Sequence, residues 1–312
     1  MAKFQAAVVQ AGPVPFDVPA TLDKMGGLTT QAADSGAKLT VFPEAFVSAY
    51  PKGLDFGARM GLRTTRGRED FRRYWASAID VPSAETKVIG KIAALHKMML
   101  VVGVIERDRG TLYCTALFFA ADGALMGKHR KLMPTALERL VWGFGDGSTL
   151  PVFETDLGRV GAVICWENHM PLLRAAMYMK GIELYCAPTV DDRETWHPSM
   201  RHIALEGRCF VLSACQYITR GAFPDDYAGV QGDDPDTVLI GGGSCIVGPF
   251  GDVLAGPDYD GECVLSAEID TDEIVRGKYD LDVAGHYARP DIFRLHVNQA
   301  PQPPAVFDDG DG

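Results

Sequence analysis

Short apolar runs recur along the chain, and most are apolar at both odd and even positions. Residues 4–10 (FQAAVVQ), 38–44 (KLTVFPE), 98–106 (MMLVVGVIE), 112–120 (LYCTALFFA), 159–165 (RVGAVIC), 182–188 (IELYCAP), 210–217 (FVLSACQY), 242–249 (GGSCIVGP) and 262–270 (ECVLSAEID) read as strands, with DVLAG and the GALMGKHRK stretch as further ones. A strand apolar on both faces is one covered on both faces. Between these runs the spacing turns helical over 17–36, with Asp17 as cap and Gly36 as stop, over about 84–97, after Cys165 as far as about Lys180, and over 197–207. The RDRG tetrapeptide between two apolar runs predicts a hairpin. Residues 52–75 read as an irregular excursion, and 221–241 as an acidic, Gly/Pro-rich insertion. Strands alternating with helices, with hairpins mixed in, place the chain in the α/β class with sheets that are not purely parallel.

Composition narrows the function classes. The 312 residues carry a formal net charge of −11, and no basic block appears, so nucleic acid and anionic membrane are poor partners. No apolar stretch approaches the ~20 residues that span a bilayer. The N-terminus, interrupted by Gln5 and Gln10, does not read as a signal peptide. Seven cysteines, mostly inside apolar runs and without a C-x-x-C pair, behave as reduced core thiols and give no zinc ribbon. A cytoplasm-type, reducing location is expected. No metal motif and no intact phosphate loop appears: GGGSCIVG has Ile246 where a third glycine is needed, and GFGDGS has Ser148. No cofactor is expected.

Three polar residues sit where apolar strands run out: Glu44 in VFPEAF, Lys131 in GKHRK and Cys165 in VGAVIC. Sites in α/β sheets gather beyond the carboxyl ends of strands. A charge hidden there is expensive unless it is paired or used. Cys165 is followed by Trp166, Glu167, Asn168, His169, Met170 and Pro171, which open a helix with Asn168 as its expected N-cap. A helix N-terminus lowers a thiol pKa and offers free N–H donors, both of use to a nucleophile.

With these motifs in the order Glu44, Lys131, Cys165, the chain resembles the nitrilase superfamily of carbon–nitrogen hydrolases, close to the true nitrilase branch and to plant-type and arylacetonitrile nitrilases. HRKLMPT, CWENHMPLLR, KGIELYCAPT and SMRHIALEGRCFVLSACQ carry the resemblance, which covers roughly residues 4–297. It implies a four-layer αββα sandwich as a single domain over residues 1–298, with a Pro-rich acidic tail over 299–312. It also implies homodimers and larger spiral assemblies. Cys165 would attack a nitrile carbon to give a thioimidate and then a thioester, Glu44 would serve as general base, and Lys131 would stabilise developing charge, with the Trp166 backbone N–H as a second donor. Glu138 matches the family's second glutamate, expected to orient Lys131 or substrate. Water and the nitrile are then the only reactants.

Trp142, Trp166, Thr189 and Trp196 lie near the motif residues and are expected to line the substrate pocket. Aromatic walls favour arylaliphatic or arylacetonitrile substrates. A β-cyanoalanine enzyme would need groups for both charges of an amino acid, and the sequence identifies none. Amidases and carbamoylases of the same superfamily are the nearest alternative; CWEN after the nucleophile tilts the reading toward nitriles. A Cys–His pair drawing on His129, His169 or His197 lacks a protease signature. A non-catalytic assembly protein would have no need of the Glu–Lys–Cys set.

Overall fold

A computed structural model of the chain describes residues 2–306. In chain order the strands are β1 (Lys3–Gln10), β2 (Ala37–Val41), β3 (Ala58–Arg59), β4 (Leu62–Arg63), β5 (Met99–Asp108), β6 (Thr111–Phe119), β7 (Leu125–Arg130), β8 (Val152–Thr155), β9 (Gly158–Ala162), β10 (Leu184–Thr189), β11 (Phe210–Cys215), β12 (Tyr217–Thr219), β13 (Val238–Gly241), β14 (Ser244–Val247), β15 (Val253–Asp258) and β16 (Cys263–Asp270). The helices are α1 (Val18–Asp34), α2 (Thr65–Ala76), α3 (Ala84–His96), α4 (Glu138–Val141), α5 (Pro171–Met179), α6 (Trp196–Gly207) and α7 (Asp272–Gly277).

Two six-stranded mixed sheets, ordered β16-β1-β2-β5-β6-β7 and β15-β14-β11-β10-β9-β8, stack face to face. Strand parity explains the two-sided apolar runs. Ala6, Val8, Leu39, Val41, Val101 and Phe118 of the first sheet meet Ala162, Leu184, Cys186, Leu212 and Ile246 of the second in the central core. The alternate residues of the first sheet, Ala7, Val9, Leu100 and Val102, pack outward on α1 and α3. Those of the second, Tyr185, Ala187 and Val211, pack on α5 and α6. The result is the αββα sandwich. Each fully buried aliphatic or aromatic side chain contributes about 1.5–3 kcal/mol.

Local signals hold at several element ends. Asp17 Oδ1 accepts the Ala20 N–H at 3.0 Å and caps α1, and the β5–β6 hairpin closes Asp108 against Thr111 over the RDRG turn. The 52–75 region differs from expectation: its second half is α2, capped by Thr64, whose Arg-rich exposed face hides the helical period. Strand β8 and helix α7 are also unforeseen, because neither has a continuous apolar run. The 221–241 insertion is closed by the β12–β13 hairpin, so its last residues are strand. Of the tail, residues 299–306 are described and exposed, and the Gln302 N–H donates to Asp146 Oδ2 at 2.8 Å. Residues 307–312 lie outside the described residues.

Candidate active site

Glu44, Lys131 and Cys165 follow β2, β7 and β9 and converge at one end of the sandwich, where Glu44 and Lys131 are fully buried and Cys165 is nearly so. Gly103 of β5 makes room for the glutamate: a Cβ there would lie 2.1 Å from the Pro43 carbonyl oxygen and 2.7 Å from Glu44 Cα. The Gln216 amide then donates to the Glu44 carbonyl at 2.7 Å. The Lys131 backbone is held on both sides, its N–H by the Cys114 carbonyl and its own carbonyl by the Gly145 N–H, each at 2.8 Å.

The Lys131 ammonium bridges two carboxylates, donating to Glu44 Oε1 at 2.6 Å and to Glu138 Oε2 at 2.8 Å. Glu138, expected to orient Lys131 or substrate, contacts the lysine directly, and it is itself held by the Thr135 N–H at 2.6 Å and the Tyr50 hydroxyl at 2.9 Å. The Trp142 ring lies 5.4 Å from Lys131 Nζ. Burial pulls the lysine pKa down, but the carboxylates of Glu44 and Glu138 outweigh it and hold Lys131 well above its ordinary value, so it is a fixed cation. Burial raises the Glu44 pKa; Lys131 opposes that shift and Glu138 adds to it. Glu44 Oε1 also accepts from the Cys114 thiol at 3.4 Å, whereas Oε2 has no hydrogen-bond partner among the described residues.

Cys165 departs from its expected setting. The chain leaves β9 and turns through one 3₁₀ turn, Cys165–His169, before α5. Cys165 has φ +50°, a left-handed conformation for a non-glycine residue, which costs on the order of 1–3 kcal/mol and persists only where surroundings enforce it. Asn168 does not cap α5; Met170 occupies that position. Instead the Asn168 amide donates to the Cys165 carbonyl at 2.7 Å and the Val163 carbonyl at 2.9 Å, pinning the turn. Nor is the thiol acidified. Burial pushes its pKa up, Glu44 pushes it further, and Lys131 only partly offsets them.

A cavity of about 180 Å³ opens on Cys165, lined by Tyr50, Lys52, Glu138, Trp166, Asp191 and Arg193 among others. It adjoins a more apolar groove of about 370 Å³ that shares Tyr50, Lys52, Thr135 and Glu138 and adds Leu54, Phe56, Leu140 and Trp142.

The sequence pattern of the carbon–nitrogen hydrolase family matches residues 5–279. The chain belongs to the carbon–nitrogen hydrolase family. Within the hydrolases it falls in the nitrilase branch. It is 59% identical to an aliphatic nitrilase of Sinorhizobium fredii, over 98% of this chain and 99% of that one. It is 56% identical to a bifunctional nitrilase/nitrile hydratase of Lupinus angustifolius, over 97% and 88%. The yeast Saccharomyces cerevisiae Nit3 structure, described as a member of branch 10 of the nitrilase superfamily, shares the fold with TM-score 0.70 at 24% identity, covering 91% of this chain and 96% of that one.

In this hydrolase the four pocket residues read from sequence separate. Trp166 lines the inner cavity, its Nε1–H donating to Asp191 Oδ2 at 2.7 Å and its face covered by the Arg193 guanidinium 4.8 Å from the ring centroid. Trp142 lines only the outer groove. Thr189 is fully buried and lines neither cavity; its Oγ1 accepts the Asp191 N–H at 2.9 Å. Trp196 belongs to none of these walls: it is the first residue of α6, buried in the outer core, with its Nε1–H on Ser213 Oγ at 2.9 Å. The TVDDRET loop ends one residue earlier than the position implied, and the helix carries the ring inward. Tyr50, Lys52, Asp191 and Arg193 complete the inner cavity without a motif of their own. Their one sequence signal is adjacency: Tyr50 and Lys52 follow Glu44 by six and eight residues, and Asp191 follows the end of β10.

Proposed function

We propose that the chain hydrolyses a nitrile to the carboxylic acid and ammonia, with Cys165 as nucleophile. The observation that carries this reading is a thiol held at positive φ beside a buried glutamate–lysine–glutamate array, at the floor of an open cavity. Because burial and Glu44 keep the thiol protonated at rest, attack requires that its proton move to Glu44. The transfer leaves the net charge of the site unchanged, and Lys131 stays positive throughout. The thiolate adds to the nitrile carbon, the C≡N π pair moves to nitrogen, and Glu44 returns its proton there, giving a neutral thioimidate and an ionised Glu44. Lys131, with the Trp166 backbone N–H as second donor, stabilises charge in the tetrahedral intermediates. Water activated by Glu44 adds, ammonia leaves, and a second water cleaves the thioester to release the acid. Cys165→Ser should abolish ammonia release with the fold unchanged; ammonia release that survived it would overturn the mechanism. The superfamily's amidase reading is tested with matched nitrile and amide pairs, where faster ammonia release from amides would reverse the assignment.

For substrate, the inner cavity supports a short nitrile with a polar or charged body. Of three tryptophans expected to favour arylaliphatic substrates, one lines it, while Lys52, Asp191, Asp192 and Arg193 place both signs of charge on its wall. These are groups of the kind that an amino-acid nitrile such as β-cyanoalanine requires. The apolar outer groove supports the arylaliphatic alternative, with the ring seated over Leu54 and Leu140. Lys52→Ala separates them: kcat/KM for charged nitriles falls while that for arylacetonitriles holds if the inner wall selects. Amide release from the tetrahedral intermediate is measured in the same panel as the acid-to-amide ratio.

Self-association as a homodimer, extending to spiral assemblies, is proposed through α5 and α6, where Leu172, Met179 and Leu205 are exposed. Light scattering of Leu172→Glu tests it, an unchanged mass counting against this face. Seven cysteines without a disulfide support a reducing, cytoplasm-type compartment.

A further inference from the structure

A second buried acid–base pair, unused by the chemistry above, joins the two strand ends that carry Lys131 and Cys165. Glu167 is fully buried and accepts three hydrogen bonds: from the Leu132 N–H at 2.6 Å, from the Ile164 N–H at 2.9 Å, and from His129 Nε2 at 2.9 Å. Leu132 follows Lys131 and Ile164 precedes Cys165, so one carboxylate clamps the backbone next to both reactive side chains. The other nitrogen of His129, Nδ1, lies 2.6 Å from the Thr149 carbonyl oxygen. A carbonyl only accepts, so Nδ1 must carry a proton. Nε2 faces a carboxylate oxygen that already accepts the Ile164 N–H, and a bare lone pair there would repel it. A proton therefore lies between Nε2 and Oε2, and the pair is neutral overall. That neutrality matters beside Cys165, because Glu44, Glu138 and Lys131 already sum to one negative charge.

We infer that His129 and Glu167 are positioning residues: the protonated histidine neutralises and orients Glu167, and Glu167 fixes the left-handed Cys165 turn against the Lys131 loop. Neither touches the reacting atoms. Glu167→Gln replaces one acceptor oxygen by an amide that meets a backbone N–H, so the clamp opens at one end. His129→Asn keeps a donor for Thr149 but loses the one for Glu167. His129→Gln does the reverse and preserves the clamp.

The inference rests on the nitrilase reading for the turnover measurement alone, so two readouts are needed. The first is kcat and KM for ammonia release from a nitrile. The second is the rate at which iodoacetamide alkylates Cys165, located by mass spectrometry, which requires no substrate. His129→Asn is expected to lower kcat roughly thirtyfold with KM little changed, and to slow Cys165 alkylation similarly. His129→Gln is expected to recover most of both, and Glu167→Gln to resemble His129→Asn. All of these losses stay far short of that in Cys165→Ala. Equal impairment of the two histidine variants would overturn the inference, as would variants that unfold at lower temperature yet alkylate and turn over normally per folded molecule. If Glu167→Gln does not fold, the histidine pair decides alone. Absence of nitrile turnover in the wild type, with the alkylation pattern intact, would sink the nitrilase reading and leave the positioning role standing.

Discussion

Replacing Glu138 by Gln removes one negative charge from the site while keeping the size of the side chain. In the wild type its Oε2 accepts from both Lys131 Nζ and the Thr135 N–H, and its Oε1 accepts from the Tyr50 hydroxyl. A neutral amide oxygen serves Lys131 more weakly, and the loss of a charge-assisted bond costs about 1.5–3 kcal/mol. If that bond holds Lys131 in the transition state, kcat falls by roughly ten- to a hundredfold. The sign of the pH effect follows from the charges. Glu138 is one of the groups that raise the Glu44 pKa. Removing it lowers that pKa, so Glu44 stays ionised, and competent as a base, to lower pH. The acid limb of kcat/KM should therefore move toward lower pH even as the plateau drops. Tyr50→Phe is the control, since it deletes one hydrogen bond to Oε1 and leaves the charge; it should lower the plateau less and leave the limb in place. The assay is ammonia release across pH with saturating and limiting nitrile. An acid limb that stayed put or moved upward in Glu138→Gln, or one that moved equally in Tyr50→Phe, would refute the electrostatic reasoning.

Other consequences follow from packing. Gly103→Ala places a Cβ 2.1 Å from the Pro43 carbonyl oxygen; overpacking of this kind costs about 1–3 kcal/mol. It should lower both Tm and kcat because Glu44 must shift, and a normal kcat in the folded variant would count against that. Trp196→Phe loses the bond to Ser213 inside the core and should cost about 1–3 kcal/mol in denaturant unfolding without altering the ranking of nitriles in a substrate panel. Trp166→Ala should, by contrast, change the ranking because this residue lines the cavity, and losing its bond to Asp191 should also cost about 1–3 kcal/mol of stability.

The parts of the molecule written in short-range chemistry were legible before the fold was known. Apolar runs located the main strands because two-sided burial leaves a continuous signature, and Asp17 announced the start of α1. Glu44, Lys131 and Cys165 stood out because a charged or nucleophilic group at the end of a buried strand needs a reason to be there. What escaped was set by distant contacts. Nothing local distinguishes Trp166, held at the cavity by Asp191 and Arg193, from Trp196, turned into the core toward Ser213. Asn168 looks like a helix cap, and only the kinked path after β9 shows its amide spent on the Cys165 carbonyl. Helix α2 was hidden because its arginines face solvent and only Gly67 and Tyr74 are buried.

The thiol itself is where the local argument and the structure part most sharply. A cysteine opening a helix would be acidified by free N–H groups, and would rest as a thiolate. Here the helix begins at Pro171, six residues on, and the groups that reach Cys165 are a low-dielectric wall and a carboxylate. Both favour the neutral thiol. On the proposed mechanism this has a use. A resting thiolate beside Glu44 and Glu138 would add a second uncompensated negative charge to a buried site, whereas a thiol that ionises only by protonating Glu44 moves charge without creating it. The alkylation rate of Cys165 in the free enzyme should accordingly depend on Glu44: Glu44→Gln should slow it, even though removing a negative charge would by itself make the thiol more acidic. Faster alkylation in that variant would mean that Glu44 acts on the thiol only as a charge, and that the proton leaves by another route.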